Sequence, residues 1–189
     1  QNPAAMSSRK VRLAMAAHLR TPRRMALRLI REFYTFDLMQ FSQLSAAPAD
    51  LRRVADDQLI TRLSSITLGE RISLARRSST HVVSALLTDK DASVWQPALE
   101  NPRLTEAAVV KAVQRGVTPA FVEAVCHHQK WSVRAEIRIA LLRNAHTPLG
   151  RALEFARRLP PTQLRDILHA SRLPEKVKAG LRKEINSRS

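Results

Sequence analysis

The sequence has little of what disulfide-bonded, secreted or membrane-spanning proteins need. Its single cysteine, Cys126, excludes an intrachain disulfide, fits a reducing compartment and predicts a cytoplasmic location. No run of 18 apolar residues occurs, so no membrane-spanning helix is expected. The start, QNPAAMSSRK, lacks the apolar core of a signal peptide. We expect residues 1–7 to be a disordered tail or residues foreign to the native chain.

Glycine and aromatic residues are also scarce. The chain has four glycines, and aromatic residues make up 4% of it. Alanine and leucine are the commonest apolar residues and favour helices, and there is little β-branched or aromatic alternation to indicate strands. We therefore predict an all-α protein with no β-sheet.

Acidic residues are few, with 16 Asp and Glu against 32 Lys and Arg, which gives a formal net charge of +16. A field of one sign attracts polyanions and accelerates their encounter with the protein. The candidate partners are nucleic acid, an acidic protein surface or anionic lipid. The same arginine-rich surface can also reflect a GC-rich coding sequence, so charge by itself does not choose a partner.

Three threonine-proline pairs mark helix starts: Thr21-Pro22, Thr118-Pro119 and Thr147-Pro148. Threonine at an N-cap accepts a hydrogen bond from a free backbone N–H, and proline suits the next position because it has no N–H to satisfy. Apolar residues at helical spacing follow each pair. The predicted helices are 8–18, 22–33, 36–44, 48–62, 70–77, 80–88, 92–99, 105–115, 119–127, 131–143, 148–158, 161–170 and 174–186.

The chain contains an internal repeat. The segment that begins at Lys10 aligns without gaps with the segment that begins at Glu136, so that Thr21-Pro22 faces Thr147-Pro148. We predict a four-helix unit over 10–62 that is repeated over 136–186, with shorter repeats over 70–130.

Two stretches resemble known helical repeats. TDKDASVWQPALENPRLTEAAV resembles the leucine-rich-repeat-variant unit, and WSVRAEIRIALLRNAHTPLGRAL resembles HEAT-like units. This resemblance implies a right-handed α-solenoid of stacked helical hairpins, a single domain over 8–187, that acts as a monomer through an extended concave surface. The variant family can carry a cysteine-bound iron–sulfur module, which one cysteine cannot supply. We expect no cofactor.

The basic residues at both ends of the chain are the candidate binding residues. Arg20, Arg24, Arg28 and Arg31 are predicted to share one helical stripe, and arginine can bind a phosphate or carboxylate through two hydrogen bonds. The alternatives are a solvated face and, for Arg12 and Arg138, a bridge to the adjacent repeat. The full set is Arg9, Lys10, Arg12, Arg20, Arg23, Arg24, Arg28, Arg31, Arg134, Arg138 and Arg143.

Trp95 and Trp131 are candidates for stacking on a nucleotide base. HEAT-like alkylpurine DNA glycosylases use aromatic residues and an aspartate in a basic groove, and Asp89 and Asp91 lie near Trp95 in sequence. The alternative is that both indoles pack between repeats.

Nothing in the sequence indicates catalysis or a metal site. Cys126, His127 and His128 are adjacent on a predicted helix and point about 100° apart, so they cannot converge on one ion. No nucleotide-binding, nucleophile-elbow or zinc-protease motif occurs. We therefore predict a scaffold, not an enzyme, that binds an acidic protein or peptide. Sequence-nonspecific binding of DNA or RNA is the second hypothesis, and a DNA glycosylase is a remote third.

Overall fold

The protein is all-α, as predicted. A computed structural model describes residues 8–115 and 118–187, so the predicted tail over 1–7 lies outside the described residues. Within those two ranges the chain forms thirteen helices and no strand. The helices are α1 (Arg9–Ala17), α2 (Arg23–Arg31), α3 (Thr35–Ser42), α4 (Ala49–Arg62), α5 (Leu68–Arg77), α6 (Thr80–Leu86), α7 (Ala92–Leu99), α8 (Glu106–Gln114), α9 (Pro119–His127), α10 (Ala135–Leu142), α11 (Leu149–Arg157), α12 (Pro161–His169) and α13 (Glu175–Asn186).

The chain divides into two compact units, of which the first ends at Leu104 and the second begins at Thr105. In the first unit α1 packs on α2 and α3, α4 packs on α2, α3 and α6, and α7 packs on α5 and α6. In the second unit α10 packs on α8, α11 and α12, and α13 packs on α11 and α12. No helix of the described ranges is long and apolar enough to cross a bilayer. A continuous solenoid over 8–187 stays a prediction.

The helices α1 to α4 and α10 to α13 correspond to the two segments aligned in sequence. Both sets pair in the same way: first with second, first with third, second with fourth, and third with fourth. The aligned helices α2 and α11 also bury aligned side chains, which places the same face of each against its neighbours. The buried pairs are Ala26 with Ala152, Leu29 with Phe155, and Ile30 with Ala156.

The threonine-proline pairs act in two different ways. Thr118 caps α9 as predicted, because its side chain accepts a hydrogen bond from the Phe121 N–H. At the other two pairs the prediction is wrong, since proline is the N-cap and threonine lies before it. There the hydroxyls of Thr21 and Thr147 donate at 2.6 Å to carbonyls of the preceding helix. The short elbow brings those carbonyls within reach of the hydroxyl.

Two buried asparagines tie neighbouring elbows together. The Asn101 amide donates to the Ala75 carbonyl at 2.8 Å in the first unit, and the Asn144 amide donates to the Val113 carbonyl at 2.7 Å in the second. Each asparagine oxygen also accepts the N–H two residues further on. These side chains satisfy carbonyls that a helix leaves open at its C-terminal end.

Candidate functional site

The outer face of α2 carries the most concentrated positive charge among the predicted site residues. Arg24, Leu27, Arg28 and Arg31 line a shallow open groove on this face, and Glu32 lies at one end of it. The opposite face of α2 is buried, which fixes the direction of the arginines. The side chain of Arg28 is 85% exposed, so solvent reaches its guanidinium freely.

The contacts of α2 leave two arginines without an opposing charge. Arg23 forms an ion pair with Asp50, and Arg28 lies 3.5 Å from Glu32. Arg24 and Arg31 make no ion pair with any described residue. Arg24 also lies in the first turn, where the helix dipole disfavours a cation by roughly 0.3–1 kcal/mol. Neither an ion pair nor the helix dipole therefore gives Arg24 a stabilising role in the folded chain.

The second copy of this helix shows that its fold does not need arginine at the positions of Arg24 and Arg28. At the aligned positions of α11 the residues are Gly150, Glu154 and Arg157, although the buried face is the same. There Glu154 pairs with Arg151, and Arg157 lies 3.3 Å from Glu184. At these aligned positions, arginines without an opposing charge therefore occur on α2, as Arg24 and Arg31, and not on α11.

Arg9 and Arg12 have structural contacts. Arg9 on α1 pairs with Asp37 of α3, a carboxylate that is almost fully buried. Arg12 lies 2.9 Å from Glu32, and its guanidinium is 5.9 Å from the centre of the Phe33 ring. Both side chains link α1 to neighbouring helices, so neither is free to bind a partner without breaking a contact.

Arg20 lies outside the predicted stripe because α2 begins only at Arg23. It sits in the elbow between α1 and α2, where it lines a separate groove with Ala17 and Leu44. Lys10 is exposed on α1 and makes no ion pair with the described part of the chain. The structure therefore separates these two residues from the α2 groove.

The predicted arginines of the second unit also differ in environment. The Nε of Arg138 donates at 2.7 Å to the Ser132 carbonyl, in the turn that replaces the predicted helical residues 131–134. Desolvation and the nearby charge of Arg158 lower the pKa of Arg138 from its usual value. Arg134 and Arg143 are exposed at the two ends of α10. Arg138 thus supports its own turn, whereas Arg143 is available to a ligand.

Both candidate stacking residues are buried. Trp95 is 3% exposed and Trp131 is 2% exposed. The Nζ of Lys130 lies 4.2 Å from the Trp131 ring centre and covers it further. Neither indole presents a face on which a base could stack.

The aspartates near Trp95 are engaged in structural contacts. Asp89 lies 2.6 Å from the guanidinium of Arg71. Asp91 caps α7 by accepting hydrogen bonds from Ser93, and these bonds lower the pKa of Asp91 below its ordinary value. Neither carboxylate is arranged as a catalytic base.

Cys126, His127 and His128 each have a separate environment. Burial raises the pKa of the Cys126 thiol to about 12. A ring nitrogen of His127 lies 2.9 Å from the Glu123 carbonyl, and His128 accepts the Lys130 N–H. Within the described ranges, no group of three or more acidic, histidine or cysteine side chains is placed to hold a metal ion.

Arg62 is a residue of the site that sequence reasoning missed. Its guanidinium donates at 2.8 Å to the Arg31 carbonyl and at 2.7 Å to the Phe33 carbonyl. It closes the C-terminal end of α2 and so holds the stripe in place. No local signal could have found it, because Arg62 ends a different helix.

The α2 groove brings the side chains of three arginines and one leucine to one exposed face. No family model, no curated protein and no solved structure matches this chain. Guanidinium groups bind carboxylates or phosphates through two hydrogen bonds, and Leu27 between them offers an apolar contact. The lining residues include no nucleophile beside a base.

Proposed function

We propose that this chain is a non-enzymatic scaffold that binds an acidic protein or peptide segment on the outer face of α2. The observation that carries the proposal is the difference between the two aligned helices. Two of the three stripe positions, Arg24 and Arg28, are Gly150 and Glu154 on α11, and only Arg31 keeps an arginine counterpart, Arg157, while the buried faces agree. A surface that the fold does not require, and that electrostatics disfavours in the free protein, suits an acidic partner.

The wider architecture belongs to the same proposal. A HEAT-like solenoid, with an extended concave surface formed by successive helix pairs, accords with the way helices pack on neighbours and next neighbours inside each unit. A cytoplasmic location accords with the single buried cysteine, and the proposal takes the chain to act as a monomer. No cofactor is assigned to it.

The groove favours a polypeptide over nucleic acid. Leu27 lies between the arginines and can contact an apolar side chain of a peptide. The two buried indoles offer no ring face to a base.

Binding to two labelled probes tests the proposal. The first is a peptide with a central leucine flanked by glutamates at helical spacing, and the second is a random-sequence 20-base-pair duplex; fluorescence anisotropy is measured at two salt concentrations. The variant replaces Arg24, Arg28 and Arg31 with glutamine. Three exposed contacts of about 0.5 kcal/mol each predict about tenfold weaker peptide binding.

A charge-matched control separates a defined surface from bulk charge. Replacing Arg53, Arg76 and Arg182 with glutamine lowers the net charge equally and touches exposed residues that do not line the groove. We expect this control to bind the peptide nearly as wild type does. Equal losses in both variants, or no saturable peptide binding, would contradict the proposal.

Nucleic-acid binding is the second candidate, and the net charge of +16 favours it. It predicts that the duplex binds tighter than the peptide, that affinity falls steeply with salt, and that both triple variants weaken it alike. The glycosylase hypothesis gains nothing from the buried indoles or the engaged aspartates near Trp95. An assay that detects release of a base from alkylated DNA by this protein would support the glycosylase hypothesis.

A further inference from the structure

A second basic site lies in the second unit. A cavity of about 310 Å³ opens where α8, α10 and α12 end. Its wall includes Gln114 at the end of α8, the elbow residues Arg143 and His146, and Arg172 in the loop after α12. No carboxylate lines it.

The walls of this cavity are held by hydrogen bonds that do not use the guanidinium groups. Asn144 donates to the Val113 carbonyl at 2.7 Å and accepts the His146 N–H at 2.9 Å. The backbone N–H of Arg172 donates to the Arg143 carbonyl at 3.1 Å, which joins the elbow after α10 to the loop after α12. The cavity is therefore formed before any ligand arrives, and binding needs little ordering of the backbone.

The two cavity arginines differ from most others in their unit. Arg151, Arg157 and Arg158 each contact a glutamate. The guanidiniums of Arg143 and Arg172 are exposed and make no hydrogen bond or ion pair with a described residue. Both arginines lie near helix C-termini, whose partial negative charge offsets part of the repulsion between the two guanidinium groups. The Arg143 carbonyl already accepts a hydrogen bond from the Arg172 N–H. Two like charges on one cavity wall are left for an anion to neutralise.

We propose that this cavity binds a phosphate monoester group, with Arg143 and Arg172 as paired donors and His146 as a third. One carboxylate satisfies one guanidinium and carries a single charge. A phosphate monoester carries about −1.5 to −2 charges and three acceptor oxygens, which matches two guanidiniums and a ring N–H. The group can belong to a small phosphorylated molecule or to a phosphorylated side chain.

Calorimetry on the full chain tests this assignment. The probes are a phosphoserine peptide, the same peptide unphosphorylated, and inorganic phosphate. We expect saturable binding of the phosphopeptide at least about tenfold tighter than its unphosphorylated form. Arg143→Gln and Arg172→Gln should each weaken it by about tenfold or more, as loss of a charge-assisted contact does.

The control is Arg182→Gln, which removes one charge from an exposed arginine outside the cavity. It should leave phosphopeptide affinity within about twofold of wild type. Neither cavity variant should shift the melting temperature, because neither guanidinium holds the fold. Phosphate displacing the peptide with equal or higher affinity identifies a free phosphorylated molecule as the source, and peptide binding that exceeds phosphate binding identifies a phosphorylated side chain.

Three results would overturn the site: no saturable binding of either phosphate probe, equal binding of the two peptides, or equal losses in the cavity and control variants. Tighter binding of duplex DNA than of both phosphate probes would also reject it in favour of phosphodiesters. Arg143→Gln and Arg172→Gln leave the α2 arginines intact, so a loss of phosphopeptide affinity in these variants reports on the cavity and not on the α2 groove.

Discussion

Replacing Asn144 with alanine should destabilise the second unit by an amount that its contacts allow us to work out. The side chain is 8% exposed, donates to the Val113 carbonyl and accepts the His146 N–H. His146 is at the surface, so water can replace Asn144 there. Val113 is fully buried, and its carbonyl would lose the donor that Asn144 supplies. An unsatisfied buried group costs about 1–3 kcal/mol, so we expect the free energy of unfolding to fall by about 2 kcal/mol.

Urea unfolding followed by circular dichroism measures this loss. Asn144→Asp keeps the size of the side chain and the acceptor for His146 but removes the donor, so it should cost at least as much at neutral pH. Asn186→Ala, at an exposed residue that ends α13, is the control and should change stability by less than about 0.5 kcal/mol. An equally small change for Asn144→Ala, with an unaltered denaturant slope, would refute the proposed tie between elbows.

Three further predictions concern single side chains. Cys126 is buried with a pKa of about 12, so Ellman's reagent should not label it in native protein at pH 8 but should do so in urea; rapid native labelling would contradict this. Burial raises the pKa of Asp56 above 3.8, so the folded chain holds that proton more tightly, and stability should fall as pH rises from about 4 through the raised pKa. Urea unfolding between pH 4 and 7 should show this slope in wild type and not in Asp56→Asn. Arg62→Met should lower the melting temperature, at a cost of about 1–3 kcal/mol, and weaken binding of the acidic peptide, because it opens the end of α2; unchanged binding would show that this cap does not position the stripe.

Sequence periodicity located the helices well because helix formation depends on near neighbours. The predicted helix 119–127 coincides with α9, and 92–99 coincides with α7. The predictions that were wrong concern residues whose side chain or backbone can adopt two different local arrangements. Thr147 can cap the next helix or bond back to the previous one, and only the tight elbow decides between them. Trp131 was placed on a helix, whereas the structure has it in a turn that the Arg138 side chain supports.

From the sequence we could predict that the candidate sites are rich in arginine, but not which of these arginines are paired with acidic residues. The sequence shows that Arg23 and Arg24 are both basic and adjacent, but not that Asp50 neutralises the first and leaves the second unopposed. Arg172 and Arg62 gave no signal, because their importance comes from neighbours distant in sequence.

The amino-acid order alone determined the helical class, most of the helix bounds and the alignment of the first four helices with the last four. These properties follow from the spacing of apolar residues and prolines along a few turns of chain. The tertiary structure alone decided which positive charges are neutralised, as between Arg9 and Asp37 on separate helices, and which remain exposed. An ion pair needs two side chains in contact, and that proximity exists only once the helices have packed.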